Sequence, residues 1–142
     1  MANDLPFVHR AVRALREGGV DVWVFGGWAE ELLALAPPRA HADLDLLHPG
    51  PSFAAADALI AELHLEEVAE MHLPHKRAFL FEGVTVELFL VRRDEGGYYT
   101  EFGGGQRYDW PDDVFAGDGI IPLAGRRTVA DFRENYPERP AA

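Results

Sequence analysis

The stretch that decides the fold is Trp23-Val24-Phe25-Gly26-Gly27-Trp28-Ala29-Glu30-Glu31-Leu32-Leu33-Ala34-Leu35, followed by Arg39-Ala40-His41-Ala42-Asp43-Leu44-Asp45-Leu46-Leu47. Val22 to Phe25 is a short apolar run of the kind a buried strand needs. It stops at Gly26-Gly27, and Trp28 to Leu35 then has the Ala- and Leu-rich character of a helix. Further on, Asp43 and Asp45 alternate with Leu44 and Leu46, so on a strand both carboxylates point to one face. Two such carboxylates repel unless a cation sits between them. A divalent metal is the simplest reason for the pattern, and an all-oxygen site of this kind suits Mg²⁺. The competing reading is the solvated outer face of an ordinary half-buried strand.

The glycine pair and a third acid bear on that choice. A strand, two glycines and a helix start leave backbone N–H groups directed out of a turn, where a phosphate can approach without meeting side chains. Taken alone, Gly26-Gly27 is only a turn. Next to the aspartate strand it suggests a nucleoside triphosphate held by turn and metal together. Val84-Thr85-Val86-Glu87-Leu88-Phe89-Leu90-Val91 reads as a central strand with one acid in its middle. A lone buried charge is costly, so Glu87 needs either a cation in a cleft or an ion pair with Arg92, Arg93 or Lys76. Asp43, Asp45 and Glu87 together would supply the ligands for a two-metal phosphoryl-type transfer.

The remaining chain alternates elements. Val8, Ala11, Val12 and Leu15 mark an amphipathic helix over 7–16, ended by Gly18-Gly19. Pro49-Gly50-Pro51 breaks the chain after the aspartate strand, Ser52 is an N-cap candidate, and a second amphipathic helix spans 53–63. Strands are expected over 65–71, 76–81 and 84–91, the last two joined as a hairpin at Glu82-Gly83. Glycines at 96–97 and 103–105 bracket a flexible loop carrying Tyr98, Tyr99 and Phe102. A short strand over 120–123 and a closing helix over 129–135 complete the pattern, and there is no internal repeat. The expected architecture is α/β (α+β): a small mixed, largely antiparallel sheet with helices on one face. One domain spans 1–142, with a flexible tail from about residue 136.

Composition narrows the function classes. At 142 residues there is room for one core, and 48% hydrophobic content excludes a disordered chain. The formal net charge of −11 argues against a nucleic-acid partner. It suits a cationic acceptor such as an aminosugar, and equally well suits plain solubility. No membrane-length apolar run and no signal pattern are present, so the cytoplasm is the expected location and no membrane partner is expected. The absence of cysteine excludes thiolate chemistry and disulfides.

With these residues in view, the chain resembles the nucleotidyltransferases of the DNA polymerase β-like superfamily. It is most similar to the lincosamide nucleotidyltransferases and aminoglycoside 2''-adenylyltransferases. Their pattern is Gly-Gly-Trp, a short helix, Arg-x-His-x-Asp-x-Asp on a strand and a third acid on a later strand, here Gly26, Gly27, Trp28, Arg39, His41, Asp43, Asp45 and Glu87. Leu73 to Arg77 and the segments 108–115 and 119–123 also look like the lincosamide enzymes, so the resemblance runs from about residue 8 to 135. It implies a minimal nucleotidyltransferase fold and a magnesium-dependent transfer of a nucleoside monophosphate to a hydroxyl of a small-molecule acceptor. That acceptor could be an antibiotic, with AMP from ATP or another nucleoside triphosphate as donor. Asp43, Asp45 and Glu87 would be catalytic and bind two Mg²⁺ ions, while Gly26, Gly27, Arg39, His41 and Lys76 would hold the nucleotide. The third acid in this family is more often Asp, so Glu87 is a departure, one methylene longer. The chain also runs only a few residues past Tyr136, short of the extension many relatives carry, which leaves the acceptor open. A homodimer could complete the acceptor pocket, an expectation that rests on size and resemblance only.

Several side chains have two readings. His41 either contacts the triphosphate or Asp43, or is a hydrogen-bonded, partly buried histidine. Trp28 is a packing anchor in preference to an adenine platform. Lys76, in preference to Arg77, reaches the triphosphate; either could be a surface charge. The aromatic loop could line an acceptor site or have no role. His72 and His75 lack zinc-site spacing. Three further possibilities remain: a non-catalytic nucleotide-binding relative, an antitoxin-type enzyme acting on a partner protein, or an interaction module whose Asp43–Asp45 strand is merely acidic.

Overall fold

The computed structural model describes residues 3–135; the expected tail from about 136 lies outside them. Helix α1, Leu5–Glu17, starts at Asp4, whose carboxylate accepts from Phe7 N at 3.0 Å, and buries the stripe Phe7, Val8, Ala11, Val12 and Leu15. Gly19, at φ +87°, closes it with a bond to the Arg16 carbonyl. Strand β1, Trp23–Phe25, leads directly into α2, Gly26–Leu32. Strand β2, Asp43–Pro49, is followed by α3, Ala54–Glu62. Strands β3, Lys76–Phe81, and β4, Val84–Asp94, form the expected hairpin, with positive φ at both Glu82 and Gly83 as a type I′ turn requires. Strands β5, Gly97–Phe102, and β6, Gln106–Asp109, and helix α4, Arg126–Asn135, complete the described chain.

The sheet runs β1-β2-β4-β5-β6, with β3 also on β4. Only β2 and β4 pair in parallel; the other ladders are antiparallel. This is the mixed, largely antiparallel sheet read from the sequence. Phe7 of α1 packs on Phe81, and Asp57 of α3 takes Arg77, so both helices cover the face carrying the odd-numbered residues of β3. Helix α4 sits on the other face through Phe132, whose ring is 4.9 Å from Phe25 and 5.1 Å from Trp110, so the helices are not all on one face as expected from the sequence. No helix among the described residues is long and apolar enough to cross a membrane.

Four local expectations are corrected. The 65–71 segment meets β3 only at an isolated bridge, Glu67 to Phe79, before Ala69–Met71 curls into a 3₁₀ turn; Glu66, Glu67, Ala69 and Glu70 are poor strand formers. The 98–102 segment is a strand, not a flexible loop: Tyr99, Thr100 and Phe102 are buried and the chain pairs with β4 and β6. The 120–123 segment makes one parallel bridge, Leu123 to Val24, while Ile120 is exposed. Helix α4 begins at Arg126, three residues early, because Asp113 caps it from a distance: its carboxylate accepts from Arg127 N at 2.9 Å and Thr128 N at 3.0 Å. Ser52 accepts from Ala54 N at 3.2 Å, although the N-cap position itself is Phe53.

Candidate active site

The parallel pairing of β2 with β4 sets Asp45 directly beside Glu87 and Asp43 beside Thr85. Asp43, Asp45 and Glu87 therefore share one face, and one carboxylate oxygen from each lies within 4.8 Å of the other two. It is the one acidic cluster of metal-binding geometry among the described residues. Glu87 is buried; the two aspartates are half-buried. Burial pushes the Asp43 carboxyl up to about 6, with Glu87 beside it adding to the rise. Asp45 is pushed well up for the same first reason and then by the charges of Asp43 and Glu87. Such crowding is destabilising without positive charge. Part of that charge comes from Lys76, whose Nζ is 2.9 Å from Glu87 Oε1 and 4.8 Å from the centre of the Phe89 ring. The ion pair considered for Glu87 thus exists with Lys76; Arg92 and Arg93 instead lie over the Tyr99 and Tyr98 rings.

The glycine pair borders this cluster. Gly26 has φ +66°, and a Cβ there would fall 2.5 Å from Asp45 Oδ2, so only glycine lets the turn approach the carboxylate. At Gly27 a Cβ would meet the Arg39 guanidinium at 2.7 Å and His41 Nδ1 at 3.1 Å. Strand β2 starts at Asp43, so Arg39 and His41 precede it and strand alternation does not orient them. His41 donates from Nε2 to Glu31 Oε1, 2.9 Å away, and packs on Trp28 with ring centres 4.2 Å apart. Among the described residues its side-chain hydrogen-bond partner is Glu31, not Asp43. Glu31 also accepts from Arg39 N at 3.0 Å, and this bond, with that from His41, holds its carboxyl below the usual range. Trp28 is buried and donates to Asn3 at 2.9 Å, the packing role anticipated for it.

A cleft of about 460 Å³ opens between Gly26-Gly27, Asp45, Arg39, Phe132 and Arg133. Arg77 faces away from it, bound to Asp57 at 2.8 Å and to the Leu73 carbonyl at 2.7 Å. The rings of Tyr99 and Phe102 are part of the packed sheet, and His72 pairs with Glu67, so neither group adds to the carboxylate cluster. Sequence reading missed three contributors. Asn3 donates to the carbonyls of His41 and Asp43, each at 2.9 Å, and fixes the entry to β2; nothing in its surroundings in sequence announces this. Glu31 was hidden in an ordinary helical face, and Arg133 in a segment read only as a closing helix.

The profile of the aminoglycoside-2''-adenylyltransferase family matches residues 7–127. A search of curated proteins finds no match. Among solved structures, the lincomycin-bound lincosamide antibiotic adenylyltransferase LnuA superposes with a TM-score of 0.74 at 16% identity, covering 96% of this chain and 89% of that one. The antibiotic-resistance factor ANT(2'')-Ia gives a TM-score of 0.62 at 17% identity, covering 96% and 76%. A Thermotoga maritima protein described as a nucleotidyltransferase gives 0.55 at 15% identity, covering 94% and 86%. At these identities the superpositions establish the fold, and the family match establishes the kind of enzyme: the chain belongs to the aminoglycoside-2''-adenylyltransferase family and is a nucleotidyltransferase.

Proposed function

We propose that this enzyme transfers a nucleoside monophosphate, AMP from ATP, to a hydroxyl of a small antibiotic-like molecule. The observation that carries the reading is the Asp45–Glu87 register, which gathers three carboxylates within 4.8 Å beside the Gly26-Gly27 turn. Family membership supports adenylyl as the group moved, and the likeness to LnuA and ANT(2'')-Ia supports an antibiotic acceptor. The formal net charge of −11 is compatible with an acceptor bearing an amine.

The donor set fits a hard divalent cation: three carboxylates, oxygen only, crowded enough to raise the proton affinity of two of them. Asp43, Asp45 and Glu87 would hold Mg²⁺, two ions in the two-metal arrangement, which when bound neutralises phosphate charge and acidifies the acceptor hydroxyl. The chain's own residues do the rest. Gly26 and Gly27 let the triphosphate lie against the backbone, and Arg39, shaped by His41 and Glu31, faces it from the side. Glu87 accepts the hydroxyl proton as the acceptor oxygen forms its bond to the α-phosphorus. The bond from that phosphorus to the bridging oxygen breaks, and pyrophosphate leaves with the electron pair, its charge offset by the basic side chains.

The test is direct. Incubation with Mg²⁺, each of the four nucleoside triphosphates and a panel of lincosamides and aminoglycosides should give pyrophosphate and an acceptor heavier by one nucleoside monophosphate. Asp45→Asn should abolish both products while leaving the fold intact. Absence of pyrophosphate and adduct across the whole panel, or full turnover by Asp45→Asn, would overturn the proposal.

A further inference from the structure

We infer that Arg133, on the last turns of α4, is a polyphosphate-binding residue that pairs with Arg39 across the cleft; this rests on the nucleotidyl-transfer reading and extends it to a part of the chain outside the motif. Both arginines line the same cleft, together with Gly26, Gly27, Glu30 and Asp45. In a chain of formal net charge −11, two arginines converging on a hollow beside a metal-type carboxylate cluster mark a place for a multiply charged anion.

Two of the contacts that hold Arg133 there can be exchanged. Its Nη1 donates to the Leu35 carbonyl at 3.0 Å, anchoring the side chain on the segment that follows α2. Its Nε is 3.7 Å from Glu30 Oε1, longer than a charge-assisted hydrogen bond, and its side chain is 47% exposed. An ion pair this long, with one partner half exposed, holds weakly. A phosphate oxygen offers the guanidinium a shorter, bidentate partner. Glu30, which lines the same cleft, then acts as a counter-ion that a polyphosphate replaces. Phe132, the neighbour of Arg133, is packed among Phe25, Phe89 and Trp110, so the backbone that presents Arg133 is anchored in the core. Arg133 is a positioning residue for the donor: it touches the part that leaves, not the acceptor.

Calorimetric titration with Mg²⁺–ATP, Mg²⁺–tripolyphosphate and AMP tests this. Arg133→Ala should weaken ATP and tripolyphosphate by about tenfold each, the scale of one charge-assisted hydrogen bond, and leave AMP unchanged. Glu30→Gln, which loses the counter-ion and keeps the shape, should bind ATP as tightly as the wild type or tighter. Equal ATP and tripolyphosphate affinity in Arg133→Ala and wild type overturns the inference. So does a Glu30→Gln protein weakened as much as Arg133→Ala, because the pair would then be structural. A wild-type protein that binds AMP-free tripolyphosphate but no nucleoside triphosphate would sink the nucleotidyl-transfer reading and leave a bare anion site. If the wild type binds neither, both fall.

Discussion

Lys76 brings a positive charge to the place where three carboxylates face one another. Its ammonium sits 2.9 Å from Glu87 in buried surroundings, with the Phe89 ring as a second partner. Replacing it by Met leaves Glu87 without that counter-charge, and removing one member of a buried pair costs about 3 kcal/mol. Lys76→Met should therefore melt about 10 °C lower in metal-free buffer, with Mg²⁺ recovering part of the loss. Melting alongside the wild type without metal would show that the cluster needs no such charge. At this scale the three acids are legible in sequence because each interrupts an apolar strand, where an uncompensated charge demands a reason. Asn3 and Arg133 interrupt nothing. Their roles come from long-range contacts, to His41 and Asp43 in one case and to the Glu30–Leu35 segment in the other.

Among the elements, the β1–α2 junction is under the tightest steric constraint. A methyl group at Gly26 would meet Asp45 Oδ2 at 2.5 Å from a backbone at φ +66°, whereas one at Gly103 would meet nothing within 4 Å. Gly26→Ala is expected to cost about 1 kcal/mol or more through the backbone and, by pushing Asp45 aside, to weaken Mg²⁺ binding about tenfold. Gly103→Ala should change stability by less than about 0.5 kcal/mol. Calorimetry and melting curves on both variants check this; equal behaviour would mean that the junction does not shape the site. The β1 run, the glycine turn, the aspartate strand and the 82–83 hairpin all follow from local pattern, so sequence suffices for them. Strands β5 and β6 do not. Glycines on both sides of 98–102 imitate a loop, and the inward set Tyr98, Thr100 and Phe102 finds its meaning only against Phe115, Trp110 and Phe132. The start of α4 is likewise set by Asp113, distant in sequence from the residues it caps.

For the whole molecule, the sheet is a frame with α1 and α3 packed on one face and the carboxylates on the other, beside the aromatic packing of α4. Concentrating negative charge there destabilises the metal-free protein. Because burial pushes Asp43 up to about 6, the folded chain binds more protons than the unfolded one between the ordinary carboxylate value and that point. This group's share of stability is therefore largest in acid and declines as pH rises through that window. Mg²⁺ competes with those protons, so its gain in melting temperature should be larger at about pH 7.5 than at about pH 5. An equal gain at both would detach the metal from these carboxylates. The central claim, that Asp43, Asp45 and Glu87 bind metal and nucleotide together, is tested most directly by isothermal titration of ATP with and without Mg²⁺ into wild type and an Asp43→Asn/Asp45→Asn double variant. The predicted result is binding that requires Mg²⁺ and vanishes in the double variant, which still folds. Undiminished Mg²⁺-dependent binding in that variant would contradict it.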